Sequence, residues 1–147
     1  MTQISFLIFG VLSATAFVHI LWGFGLTWPL RDQQTLINTV VGAKGMTQMF
    51  SLWLTLAVAA GIAAAGVFAL WGGGVVTLPL PLWMRPASLA VLAAIFLLRG
   101  VASYLPFGPL YNTVEPFRTL DMRYYAPLIL AIGLGYLVLL GSVQRAL

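Results

Sequence analysis

Four separate stretches of about 20 apolar residues dominate this chain of 147 residues. They cover roughly residues 4–25, 47–71, 86–105 and 126–143. Since a helix of about 20 residues crosses the hydrocarbon core of a bilayer, each stretch is long enough to span a membrane. We therefore predict an all-α polytopic membrane protein, an antiparallel four-transmembrane-helix bundle that forms a single integral membrane domain over residues 1–147.

The composition excludes a water-soluble fold. Hydrophobic residues make up 61% of the chain and charged residues 7%, against about 45–50% and about 25% in soluble domains. The net charge of +4 comes from scattered Lys and Arg residues without a basic run, which favours an anionic bilayer surface as partner over nucleic acid. With no cysteine and one histidine, the sequence predicts no metal site, and we expect no cofactor.

An even number of spans places both termini on one side of the membrane and the segments 26–46 and 106–125 on the other, here called the loop face. The cations outside the spans divide four to two between the loop face and the terminal face: Arg31, Lys44, Arg118 and Arg123 against Arg85 and Arg145. The positive-inside rule then predicts cytoplasmic loops for a protein of the cell (inner) membrane. We expect the 26–46 segment to lie partly along the interface, because it carries an apolar helical face at Leu36, Ile37, Val40 and Val41.

Polar side chains gather towards the loop face. His19 and Arg99 come near the loop-face ends of their spans, and the third loop carries Asp121 with Tyr104 and Tyr125 at its two ends. These five residues are our candidate ligand-binding set. A charge in the hydrocarbon costs about 2.5–3.5 kcal/mol, and such residues usually face a bundle interior or a wet cavity.

Other interpretations of these residues stay open. Arg99 could instead form a purely structural ion pair with Asp121 or Glu115, or extend its head to the nearby lipid headgroups. Asp121 could cap the start of the fourth span rather than reach Arg99. His19 could transfer a proton, or simply bond to a neighbouring helix.

A distinctive stretch runs from Phe117 to Leu128, with sequence FRTLDMRYYAPL. Together with the segments 19–22, Trp28-Pro29 and 98–100, it resembles a family of small bacterial four-span membrane proteins classified as a domain of unknown function. The shared pattern is F-x-x-x-D-x-x-x-Y-[SA]-P-L. The resemblance singles out five residues as a structural motif: Trp22, Trp28, Pro29, Phe117 and Pro127. Relatives often carry Ser and a nearby Cys where this chain has Ala126 and Ile129, so a thiol role is not available here.

Three classes of function fit these features. We expect a protein that binds or processes a small amphiphile with an anionic head at the loop-face cluster, since apolar helices would accept its tail. The alternative is a non-enzymatic subunit or assembly factor of a larger membrane complex, packed against a membrane-protein partner through small-residue faces. A third is a small transporter formed as a homo-oligomer. The sequence does not decide whether the chain is an enzyme.

Overall fold

A computed structural model describes residues 1–108 and 110–145 of the chain, and in that part every regular element is helical. Apart from a π-helical turn at Ile37–Val41, the described residues form five helices: α1 (Thr2–Gly23), α2 (Gln33–Leu36), α3 (Leu52–Gly72), α4 (Met84–Ala102) and α5 (Phe117–Gln144). Among them, α1, α3, α4 and α5 are long and apolar enough to cross a membrane, which confirms the predicted all-α, four-span architecture. The chain is thus a membrane protein.

The four long helices pack as two antiparallel pairs, α1 with α3 and α4 with α5. Small residues let the partners approach closely: Gly66 of α3 lies against Phe9 of α1, and Gly133 of α5 against Leu97 of α4. Tyr136 joins the two pairs, since its buried hydroxyl donates a hydrogen bond of 2.7 Å to the carbonyl oxygen of Ala65. The core therefore lies where the pairs meet, in the middle of the bundle.

Large apolar side chains cover the outside of the bundle. Leu7, Trp53 and Leu98 are each at least 70% exposed. An apolar surface of this extent would be a liability in water, but it suits helices whose outer faces contact lipid hydrocarbon.

The fourth spanning helix begins nine residues before the predicted position, at Phe117 rather than 126. The helix widens to a π-helical turn at Asp121–Tyr125, where the N–H of Ala126 bonds to the carbonyl of Asp121. Pro127 follows at once, at the start of the regular α-helical part. A proline normally clashes with the carbonyl four residues before it, and an extra residue in the preceding turn relieves that conflict. Pro127 therefore lies at the start of the α-helical part of α5, but not at the start of the helix itself.

The second spanning helix begins at Leu52, five residues after the predicted start at 47. Ser51 is its N-cap, and the serine Oγ accepts a hydrogen bond from the N–H of Leu54 at 3.4 Å. A capping serine satisfies one of the free N–H groups of a first turn, which accounts for a helix start at this position despite the apolar residues before it.

The apolar face expected in the 26–46 segment is in part turned into the protein, since Val40 and Val41 are only half-buried but Leu36 and Ile37 are fully enclosed. A π-helical turn, Ile37–Val41, continues α2, and Leu36 and Ile37 are buried within the protein. Gly42 then packs under the ring of Phe117 and accepts a hydrogen bond of 2.9 Å from Val114. The two loop-face segments are thereby joined into one layer across that end of the bundle.

Candidate functional site

Arg99 and Asp121 form an ion pair between α4 and α5. The Nη2 of Arg99 lies 2.9 Å from the Oδ1 of Asp121. Asp121 is fully buried, and its Oδ2 has no hydrogen-bond partner within the described residues. Asp121 lies inside α5 rather than at its start. The N–H of Thr119, in the first turn of α5, donates instead to the carboxylate of Glu115 at 3.2 Å. Of the two roles left open for Asp121, the structure selects the pair with Arg99.

A second arginine reaches the same place from α5. Arg99 Nη1 donates to the Oγ of Ser103 at 2.5 Å, while Arg118 Nη1 donates to the carbonyl oxygen of Ser103 at 2.9 Å. Arg118 Nη1 also donates to the carbonyl of Leu110 at 3.0 Å, and the guanidinium lies 5.2 Å from the centre of the Tyr111 ring. The two guanidinium groups therefore flank Ser103, which is fully buried. We call Arg99, Ser103, Arg118 and Asp121 the arginine cluster.

The guanidinium of Arg99 is held on one side and open on the other. Its side chain is 34% exposed, whereas the Asp121 side chain is not exposed at all. A guanidinium carries five N–H donors in a rigid plane, and the described contacts use two of those of Arg99. Arg99 lies in the last turn of α4, close to the end of the span. The cluster therefore presents a fixed, partly accessible cation near the membrane surface.

Tyr104 and Tyr125 lie near the cluster, but their hydroxyl groups bond to the backbone. Tyr104 donates to the carbonyl of Met122 at 2.8 Å, and Tyr125 donates to the carbonyl of Thr39 at 3.3 Å. In a π-helical turn the carbonyl of Met122 would pair with the N–H five residues later, which Pro127 lacks. Tyr104 thus supplies a donor that the proline cannot, and both tyrosines help to hold the loop-face layer together.

The residues of the structural motif lie at two joints of that layer. Phe117 is buried against Gly42, and its ring lies 6.1 Å from that of Tyr125. The indole N–H of Trp22 donates to the carbonyl of Trp28 at 3.0 Å and closes the turn that leads to Pro29. Pro127 follows the π-helical turn described above.

His19 does not join the arginine cluster. Its Nδ1 bonds to the carbonyl oxygen of Thr15 in its own helix at 2.8 Å, and its ring lies 4.9 Å from that of Trp22. A carbonyl can only accept, so Nδ1 carries the proton and Nε2 is an acceptor in the neutral form. His19 belongs to the α1/α3 pair, whereas the cluster is built from α4 and α5.

Sequence reasoning named Arg99 and Asp121 but did not include Ser103 or Arg118 among the candidate residues. The sequence nevertheless contains features that point to Ser103 and to Arg118. Ser103 follows Arg99 by four residues on the same helical face, and Arg118 lies within the distinctive stretch that begins at Phe117. What the sequence could not give is the continuation of α5 back to Phe117, which turns Arg118 towards the end of α4.

A family model described as protein of unknown function, DUF3995, matches residues 12–136. The chain belongs to this family. No curated protein and no solved structure matches it. The matched range includes the whole arginine cluster and both π-helical turns. The cluster is thus part of the DUF3995 domain and not an addition at its edge.

Proposed function

We propose that the protein binds an amphiphile whose anionic head contacts Arg99 at the loop face. One observation carries the proposal: the Arg99 guanidinium is fixed by Asp121 and Ser103, yet its side chain stays 34% exposed. A guanidinium that is fixed by two partners and remains partly exposed has N–H donors left for an anion. An arginine that only extended its guanidinium to the lipid headgroups would not require hydrogen bonds to Asp121 and Ser103.

The surroundings of Arg99 favour a ligand with both a head and a tail. Leu98 and Val101 are exposed on either side of it in α4, and Met122 is exposed across the seam in α5. A head on the guanidinium would therefore lie beside apolar surface that suits a hydrocarbon tail. The proposal covers binding alone, since His19 bonds within α1 and takes no part in the cluster.

We also propose that the protein lies in the cell (inner) membrane with the loop face in the cytoplasm. The support is the excess of Lys and Arg on the loop-face segments, although Arg118 is engaged by two carbonyl groups and contributes less as a free surface charge. Reporter fusions within residues 106–116 test this orientation, and a periplasmic signal would reverse it without affecting the ligand proposal.

The decisive experiment compares lipid binding by four forms of the full chain: wild type, Arg99→Gln, Asp121→Asn and Arg123→Gln. Each is purified in mild detergent and mixed with equal amounts of phosphatidylglycerol and phosphatidylcholine that carry the same acyl chains. Native mass spectrometry then measures the ratio of the two bound lipids. Arg123 is an exposed arginine of α5, the helix that carries Asp121. Its variant therefore controls for the loss of a surface charge alone.

We expect the wild type and Arg123→Gln to favour the anionic lipid, and Arg99→Gln to lose that preference. Asp121→Asn separates binding from structure, because it breaks the ion pair but keeps the cation. A binding role predicts that this variant retains the anionic preference or strengthens it. Equal loss in Arg99→Gln and Asp121→Asn, or no anionic preference in the wild type, would instead favour the subunit interpretation.

A further inference from the structure

We propose that the head bound at the arginine cluster is a phosphate monoester, which Arg99 and Arg118 grip together across Ser103. This inference rests on the proposed function and names its ligand class. Both guanidinium groups donate to the same buried residue, Arg99 to the serine Oγ and Arg118 to the serine carbonyl. Two cations anchored to one residue are suited to a single group with several acceptor oxygens.

The hydrogen bonds of Arg118 leave one edge of its guanidinium group available to a ligand. Both protons of its Nη1 are used, one by the carbonyl of Ser103 and one by that of Leu110. Its Nε and Nη2 make no hydrogen bond within the described residues and are not among the buried unpartnered atoms there. These two atoms form the side of the guanidinium that binds two oxygens of a phosphate or carboxylate at once. The carbonyls and Tyr111 hold that edge in place.

The number of acceptor oxygens on the head matters more than its charge, because Arg99, Arg118 and Asp121 together carry a net charge of +1. Asp121 neutralises Arg99, and it is the only carboxylate in an ion pair among the residues that the structure describes. Glu115 accepts from the N–H of Thr119 and leaves Arg118 without an acidic partner in that part of the chain. A phosphate monoester carries about −1.5 to −2 charges and three strong acceptor oxygens at neutral pH. A diester or a carboxylate has two terminal oxygens and could not accept from both arginines as well.

The test compares two lipids that differ only in the ester: phosphatidic acid, a monoester, and phosphatidylmethanol, its singly charged methyl diester, with identical acyl chains. Native mass spectrometry of the full chain measures their bound ratio in wild type, Arg118→Gln, Arg118→Lys and Arg123→Gln. We expect wild type and Arg123→Gln to favour the monoester about tenfold. Arg118→Gln should lose that preference while still favouring both anionic lipids over phosphatidylcholine.

Arg118→Lys covers the case in which Arg118→Gln does not fold, because lysine keeps the charge and can still bond to a carbonyl but lacks the two-atom edge. It should show a reduced monoester preference. Equal binding of the two lipids by wild type would overturn the inference, and it would leave the proposed function intact if both still exceed phosphatidylcholine. A further arm adds inorganic phosphate as competitor. Displacement of phosphatidic acid by equimolar phosphate would assign the site to free phosphate and overturn the amphiphile proposal, whereas resistance to it supports a lipid head.

Discussion

Substitution of Gly42 by alanine tests whether the two loop-face segments form one packed layer. Gly42 has a φ of +70°, and a Cβ added there would lie 2.5 Å from Cγ and 2.7 Å from Cβ of Phe117. The left-handed backbone costs a non-glycine residue about 1–2 kcal/mol. The overlap with a buried ring adds about 1–3 kcal/mol of overpacking. We therefore expect Gly42→Ala to lower the free energy of unfolding by about 2–5 kcal/mol.

Gly25→Ala is the matched control, because Gly25 has a φ of +82° but no atom within 4 Å of an added Cβ. That variant should lose only the backbone contribution, about 1–2 kcal/mol. Equilibrium unfolding in mixed micelles, followed by far-UV circular dichroism, measures the loss of unfolding free energy in both variants. In a Phe117→Ala background the overlap with the ring is removed and only the contact with the Cβ of residue 117 remains, so the cost of Gly42→Ala should fall towards that of Gly25→Ala. If the two glycine variants lose equal stability in the wild-type background, the packed joint between Gly42 and Phe117 does not exist as described.

Two further predictions concern the middle of the bundle and the cap of α2. Tyr136→Phe removes the buried hydrogen bond to Ala65 and should cost about 0.5–1.7 kcal/mol in the same unfolding assay, and a neutral result would mean that this bond does not hold the helix pairs together. The N–H and then the hydroxyl of Thr35 donate to the carboxylate of Asp32 and lower the pKa of Asp32 below its ordinary 3.8. The charged cap therefore stabilises the fold at pH values above about 4, and this contribution is lost as the pH falls through the lowered pKa. Asp32→Asn should remove this acid-dependent loss of stability, and an unchanged acid profile in that variant would contradict the assignment.

The existence of the four spanning helices could be predicted from hydropathy, because each is a long apolar run whose outer face contacts lipid. The start of α5 could not. Residues 117–125 include Arg118, Asp121 and Arg123, which lower the local hydropathy, and Pro127 is typical of a helix start. A π-helical turn gives no hydropathy signal, so hydropathy predicts a loop over the first nine residues of the helix.

The site was predictable in part. The topology alone brings Arg99 and Asp121 to the same end of the bundle, but pairing and helix capping were equally compatible with the sequence. Only the true start of α5 decides between them, since a residue in the middle of a helix cannot cap its start. The sequence predicts Tyr104 and Tyr125 as ligand-binding residues beside Arg99, but their hydroxyl groups donate to backbone carbonyls within the two π-helical turns. Those carbonyls cannot be identified without the backbone.

The ion pair and the proposed ligand site support each other physically. An unpaired arginine side chain moves among many rotamers, and a ligand that fixes it must overcome about 0.5–1.5 kcal/mol of lost side-chain entropy. Asp121 and Ser103 have already fixed the plane of the Arg99 guanidinium during folding. A ligand that arrives at its open edge therefore meets a donor in position. Removal of Asp121 should on this argument increase the charge available to an anion but leave the guanidinium to be ordered on binding, so Asp121→Asn should gain less affinity for the anionic lipid than the loss of a whole negative charge would give, as measured by titration with the lipid.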